Sequence, residues 1–158
     1  MAKILIADDS TLIRPMLGAA LSARGDWTIC GEAANGRQAV LLALQLRPDL
    51  IILDFFMPML SGLQAAEQIL KMMPLVPIVL YTMHDNAQVE AEARRIGIRK
   101  VISKAKSMNL VADLKEILGK PHHVGPLGVP DEYAVDPPTG EDSPVVKPTK
   151  PPPKPDIA

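Results

Sequence analysis

Five short β-prone stretches, at 3–7, 27–32, 50–53, 77–82 and 100–103, divide the first 119 residues, and each is followed by a longer stretch with apolar residues three and four apart. The clearest of the short ones, Ile4-Leu5-Ile6-Ala7 and Leu50-Ile51-Ile52-Leu53, contain no polar residue at all. Runs of that kind are buried on both faces, which is how strands of a parallel sheet covered by helices read. Helical spacing follows at Ile13, Met16, Leu17, Ala20 and Leu21, with Pro15 close to the first turn, where its missing N–H costs least. After the 27–32 strand an Asn35-Gly36 turn opens a helix over 37–46 that Pro48 helps to stop. A helix over 62–73 carries Leu63, Ala66, Ile69, Leu70 and Met73 on one face. Asp85 or Asn86 caps the next, with Val89, Ala93 and Ile96 inward and Gly97 as its stop. Ser107 caps the last, in which Leu110, Leu114 and Ile117 face inward up to Gly119.

Five such units predict an α/β fold: a doubly wound, five-stranded parallel sheet in a three-layer α/β/α sandwich with right-handed crossovers. A closed eightfold barrel needs about 250 residues and is excluded by length. Eleven of the sixteen prolines fall after Lys120, so the chain divides into a folded domain at 1–119 and a proline-rich tail at 120–158. Too few large apolar residues lie in that tail to offset the entropy of ordering it, and a flexible tether is expected. The Pro148-x-x-Pro151 and Pro152-x-x-Pro155 spacings and the His122-His123 pair are read as products of that composition.

The formal charge of −1 supplies no basic excess for phosphate backbones or anionic lipid, and the tail is too short for a helix-turn-helix unit, so direct DNA binding is not expected. With one cysteine, Cys30, no internal disulfide can form, and that thiol is expected in the core. No apolar run approaches 18 residues and no secretory signal opens the chain, which points to the cytoplasm.

Polar residues at the strand ends carry the chemistry. Asp8-Asp9 follows the first strand, Asp54 the third, Thr82 ends the fourth and Lys104 follows the fifth, so all meet at one edge of the sheet, where open parallel sheets bind ligands. Singly, each has a plainer reading: a turn or cap aspartate, a β-branched strand residue, a solvated lysine. Their shared position favours function. Three close carboxylates repel one another, and a hard, oxygen-seeking ion such as Mg²⁺ relieves that repulsion. A Thr hydroxyl and a Lys ammonium complete a site for a phosphoryl group.

The run Asp54-Phe55-Phe56-Met57-Pro58-Met59-Leu60-Ser61-Gly62, with Asp8-Asp9-Ser10, Tyr81-Thr82-Met83-His84-Asp85 and Ser103-Lys104, resembles the receiver domains of two-component response regulators. The resemblance spans 3–119 and implies the flavodoxin-like (βα)5 fold. It implies Asp54 as phosphoacceptor, with Thr82 and Lys104 holding phosphoryl oxygens. It further implies Mg²⁺ bound directly by Asp9 and Asp54 and by the backbone carbonyl of Phe56, with Asp8 acting mainly through water. The implied donor is a sensor histidine kinase or histidine phosphotransfer protein. The implied output is contact of the fourth helix, fifth strand and fifth helix with another protein, by a monomer or a weak phosphorylation-dependent dimer, without enzymatic turnover of its own. The rival readings are a Mg²⁺-dependent aspartyl-phosphate hydrolase and a receiver-like module that binds partners without phosphate.

The chain departs from the pattern in three places. Val101 stands where many members carry an aromatic switch residue, and Ala105 follows Lys104 where many carry a proline with a cis peptide bond. Phe56 and His84 lie two residues beyond the acceptor and the threonine, beside the path of attacking water; Phe56 is expected to shield the acyl phosphate, and His84 to face solvent.

Overall fold

The computed structural model describes residues 1–24, 26–106 and 108–119. The expectations for the tail at 120–158, His122-His123 and the Ser107 cap lie outside the described residues. Within them are β1 (Ala2–Ala7), α1 (Ile13–Ser22), β2 (Trp27–Ala33), α2 (Gly36–Leu46), β3 (Leu50–Leu53), α3 (Gly62–Met72), β4 (Ile78–Thr82), α4 (Ala87–Ile96), β5 (Lys100–Ser103) and α5 (Leu110–Gly119). The strands form one sheet in the order β2-β1-β3-β4-β5, with every pairing parallel.

Alternation along the strands sorts the core into two layers. Ile4, Ile6, Ile52 and Val79 meet Leu17 and Leu21 of α1 and Leu114 and Ile117 of α5 on one face. On the other, Leu5, Ile51, Leu53, Ile78 and Leu80 meet α2, α3 and α4 through Ala39, Ala43, Ala66, Ile69, Val89 and Ala93. The α/β/α sandwich expected from the sequence is present. Most of the largest fully buried side chains belong to β1, β3 and β4. Burying each of them contributes about 1.5–3 kcal/mol, so the three middle strands are the stiffest part of the frame, and residues fixed to their ends inherit that stiffness.

Local chemistry sets where the helices begin and end. The Asn35 side chain accepts the Gln38 N–H, and α2 stops where Arg47 turns left-handed at φ 47°, one residue before Pro48. Ser61 and Gln64 form a reciprocal capping box at the start of α3. Asn86, rather than Asp85, caps α4 by accepting the Val89 N–H, and Gly97 at φ 100° ends it. In the connection from β3 to α3, Met59 holds φ 70° with its side chain 68% exposed. That backbone region costs a side chain about 1–2 kcal/mol. The loop is fastened by Gly36 N–H to Pro58 O and Gly62 N–H to Phe55 O. No described peptide bond is cis, including the one before Ala105.

Three details differ from the sequence reading. In α1 the buried stripe is Leu17, Gly18 and Leu21, with Gly18 facing Ile29 and Ile6, whereas Met16 and Ala20 are exposed. In α3, Ala65 joins Ala66 and Ile69 in the core, because close approach to the sheet favours small residues. Cys30 is half-buried, not central. It is the extra residue of a β-bulge, since Ile4 pairs with Ile29 but Leu5 with Gly31, and it lies on the edge strand. Partial burial still raises its thiol pKa above the ordinary value.

A Cβ at Gly62 would overlap the carbonyl oxygen of Asp54. Gly62→Ala is therefore expected to lower the unfolding free energy by about 2 kcal/mol. Urea denaturation checks this: the midpoint should fall while the slope stays at its wild-type value.

Candidate functional site

Strand order reverses between β1 and β3. The chain leaves β1 toward β2 on one side and later crosses to β3 on the other, so the loops after β1 and β3 part and leave a crevice at their carboxyl ends. Backbone hydrogen bonds fix what stands there. Asp8 N–H donates to Ala33 O at 3.0 Å, and Asp54 N–H to Ala7 O at 2.8 Å. Asp8 and Asp54 are buried and Asp9 is exposed at the rim, yet one carboxylate oxygen from each lies within 4.8 Å of the others.

Lys104 neutralises part of this charge. Its Nζ lies 2.5 Å from Asp8 Oδ2 and 3.2 Å from Asp54 Oδ1. Burial works against the ammonium, but the hydrogen bond to Asp8 and the charges of Asp54 and Asp8 outweigh it, and the Lys104 pKa rises above its ordinary value. For Asp54 burial prevails. Desolvation, aided by the Asp8 charge, raises its pKa despite the opposing Lys104 ammonium and the Phe55 N–H that it accepts at 2.8 Å. Three carboxylates against one ammonium leave an excess of negative charge, and every donor is a hard oxygen. The residues present therefore suit a small divalent cation such as Mg²⁺.

The other expected residues converge on the same edge. Thr82 is fully buried at the end of β4, level with Ser103 of β5, and its carbonyl accepts the Lys104 N–H at 2.8 Å. Its Oγ1 accepts the His84 N–H at 3.1 Å. Phe56 is 56% exposed, and its ring meets both Phe55 and His84 edge-on, with 4.6 Å between centroids in each pair. His84 is exposed as expected but is not free in solvent. Together the two rings join the loops after β3 and β4.

Some participants were not anticipated. Arg14 donates from one guanidinium nitrogen to Asp8 O at 2.5 Å and pairs with Glu32 at 3.5 Å, tying α1 to the acidic loop. A Lys106–Asp85 ion pair at 2.9 Å spans the loops after β5 and β4. The only hint of Arg14 in the sequence is a cation in the first turn of the helix that follows Asp8-Asp9. Asp8 also fills the plainer role considered for it, since its Oδ1 accepts the Ser10 N–H at 2.8 Å.

Residues 4–115 match the response regulator receiver domain family. Transcriptional regulatory protein YdfI of Bacillus subtilis is 37% identical over 107 residues, 68% of this chain and 50% of YdfI. Protein-glutamate methylesterase/protein-glutamine glutaminase 4 of Hahella chejuensis is 35% identical over 97 residues, 60% of this chain and 25% of that protein. The chain thus spans half or less of the length of these curated relatives. Among solved structures, response regulator protein TrrA of Thermotoga maritima, in complex with Mg²⁺-BeF, aligns with a TM-score of 0.66 at 28% identity, covering 75% of this chain and 99% of TrrA. Chemotaxis protein CheY4 of Vibrio cholerae aligns with a TM-score of 0.64 at 29% identity, covering 74% of this chain and 96% of CheY4. Among the described residues no helix is long and apolar enough to cross a membrane. The family match runs from β1 into α5 and encloses every strand-end residue of the crevice, and the chain belongs to the response regulator receiver domain family.

Proposed function

We propose that this chain is a phosphorylation switch in which Asp54 accepts a phosphoryl group from a sensor histidine kinase or histidine phosphotransfer protein. The observation that carries this reading is the convergence of Asp8, Asp9, Asp54 and Lys104 at the ends of adjacent strands, with Thr82 fixed to Lys104 by a backbone hydrogen bond. A carboxylate oxygen of Asp54 bonds to phosphorus as the bond from phosphorus to the donor atom breaks, and the released electron pair stays with the donor. Few residues suffice, because such transfer depends on positioning and charge neutralisation.

Asp9, Asp54 and the Phe56 backbone carbonyl would hold Mg²⁺, with Asp8 acting through water. The bound ion would supply positive charge to the transferring oxygens. The Mg²⁺-BeF complex of TrrA supports that choice of ion. Lys104 turns its ammonium from Asp54 to a phosphoryl oxygen, and the Thr82 hydroxyl donates to another. Phosphorylation replaces one carboxylate charge by a group carrying close to two. That change favours an arrangement in which Thr82 and its loop move toward Asp54, altering the α4, β5 and α5 surface offered to a partner protein. Phe56, held by Phe55 and His84, screens the acyl phosphate from attacking water. Action in the cytoplasm and output through protein contact, without enzymatic turnover, complete the reading.

Incubating the chain with Mg²⁺ and acetyl phosphate should add one phosphate to the intact mass of the wild type and none to Asp54→Asn; a wild type that gains nothing, with this or another acyl phosphate, overturns the reading. Phe56→Asn should shorten the lifetime of the phosphorylated protein severalfold, measured by mass after the donor is removed. Stability should respond to the same crowding. A carboxyl whose pKa is raised by folding binds its proton more tightly in the folded chain, so ionising it costs stability as pH rises above the ordinary carboxylate value. In chelator at pH 7, Asp54→Asn should therefore melt higher than wild type. That advantage should shrink as pH falls toward 4, a trend followed by circular dichroism.

A further inference from the structure

We propose that Asp85 and Lys106 form an ionic latch that holds the Thr82 hydroxyl in its disengaged arrangement, which makes both of them positioning residues for phosphoryl acceptance. The inference rests on the reading of Asp54 as acceptor and Thr82 as its hydroxyl partner.

Thr82 is tied to its loop, because its Oγ1 accepts the His84 N–H at 3.1 Å. Engaging a phosphoryl oxygen means breaking that bond or carrying His84 along. The next residue, Asp85, is fastened elsewhere: its carboxylate accepts from Lys106 Nζ at 2.9 Å. Lys106 belongs to the segment after β5, the same one that sends Lys104 to Asp54 at 3.2 Å. Two residues apart, the lysines therefore serve opposite ends of one mechanism, with Lys104 at the acceptor and Lys106 on the loop that must move.

The two segments are joined at their base as well, where the Lys104 N–H donates to the Thr82 carbonyl at 2.8 Å. A strand-end hydrogen bond below and an ion pair above close a ring through Thr82, His84, Asp85, Lys106 and Lys104. Moving Thr82 and His84 toward Asp54 draws Asp85 away from Lys106 and opens the ring at its weakest link. Lys106 is 78% exposed along its side chain, so its ordered contact with Asp85 is not forced by packing. The pair is reflected in both titrations, since the hydrogen bond to Lys106 is the main influence lowering the Asp85 pKa and raises that of Lys106 in return. Val101, half-buried against the core on the α4 side, is too small to transmit movement by swinging between two positions. The ion pair supplies the link between the two loops that such a side chain would otherwise provide.

An exposed pair of this kind shifts an equilibrium by a small factor, about two- to fivefold. The test uses the full chain with Mg²⁺ and acetyl phosphate at low ionic strength and follows phosphorylation by intact mass. Exchange of the His84 amide is read by NMR without donor or metal. Asp85→Asn and Lys106→Gln should each raise the phosphorylation rate constant about two- to fivefold and speed His84 exchange by a similar factor. Combining Asp85→Lys with Lys106→Asp, which restores the pair with its charges exchanged, should return both values to the wild-type range. Single variants that match wild type in both measurements, or an exchanged pair that behaves like the singles, would overturn the latch. A wild type that takes no phosphate overturns the acceptor reading instead, and unchanged His84 exchange in the single variants is the separate result that tells against the latch.

Discussion

Everything at the crevice depends on one lysine lying between two buried carboxylates. Asp8 and Asp54 end strands whose other residues are almost wholly apolar, and ionised groups in such a position are tolerated only when compensated. Lys104 does this from the far side of β4, because β5 runs parallel to it and delivers the ammonium to the same edge. The compensation is incomplete. Asp9 remains at the rim with its charge unanswered by Lys104, and Asp54 binds a proton more readily than an exposed carboxylate would. A site left short of positive charge has a donor set that suits a cation.

The frame was legible because its signals are local and repeated. Unbroken apolar runs at Ile4–Ala7 and Leu50–Leu53 can be satisfied only by burial on both faces, which calls for a parallel sheet with helices over each side; the strand order is read from the structure. The strand-end residues were legible for the same reason: once Asp8, Asp54, Thr82 and Lys104 are known to end strands, parallel topology brings them together without knowledge of any side chain. Contacts between loops were not legible. Whether Phe56 meets His84, or Asp85 meets Lys106, depends on loop paths that no periodicity encodes. Which of the helically spaced residues of α1 face the sheet was not legible for a related reason, since spacing gives the period of a face but not its phase.

The loops after β3, β4 and β5 are short and heavily cross-tied. Gly62 and Gly36 bind the first to the body, Asn86 caps the second into α4, and Lys104 N–H on the Thr82 carbonyl joins the second to the third. Short loops between stiff strands have few alternative paths. Ties limited to single hydrogen bonds or ion pairs nevertheless leave the ends of those paths adjustable, and this combination suits a site that must be preorganised for one reaction and still register its outcome.

The bulge at Cys30 bears on a different property of the chain. An open sheet has two unpaired flanks, and a long regular flank can template strand pairing with other molecules. On the β2 flank the extra residue between Ile29 and Gly31 breaks the spacing that an incoming strand would have to match. On the β5 flank the strand is only four residues long and begins with Lys100. Both margins thus offer an incoming strand little regular length to pair with, which limits edge-to-edge growth of the sheet.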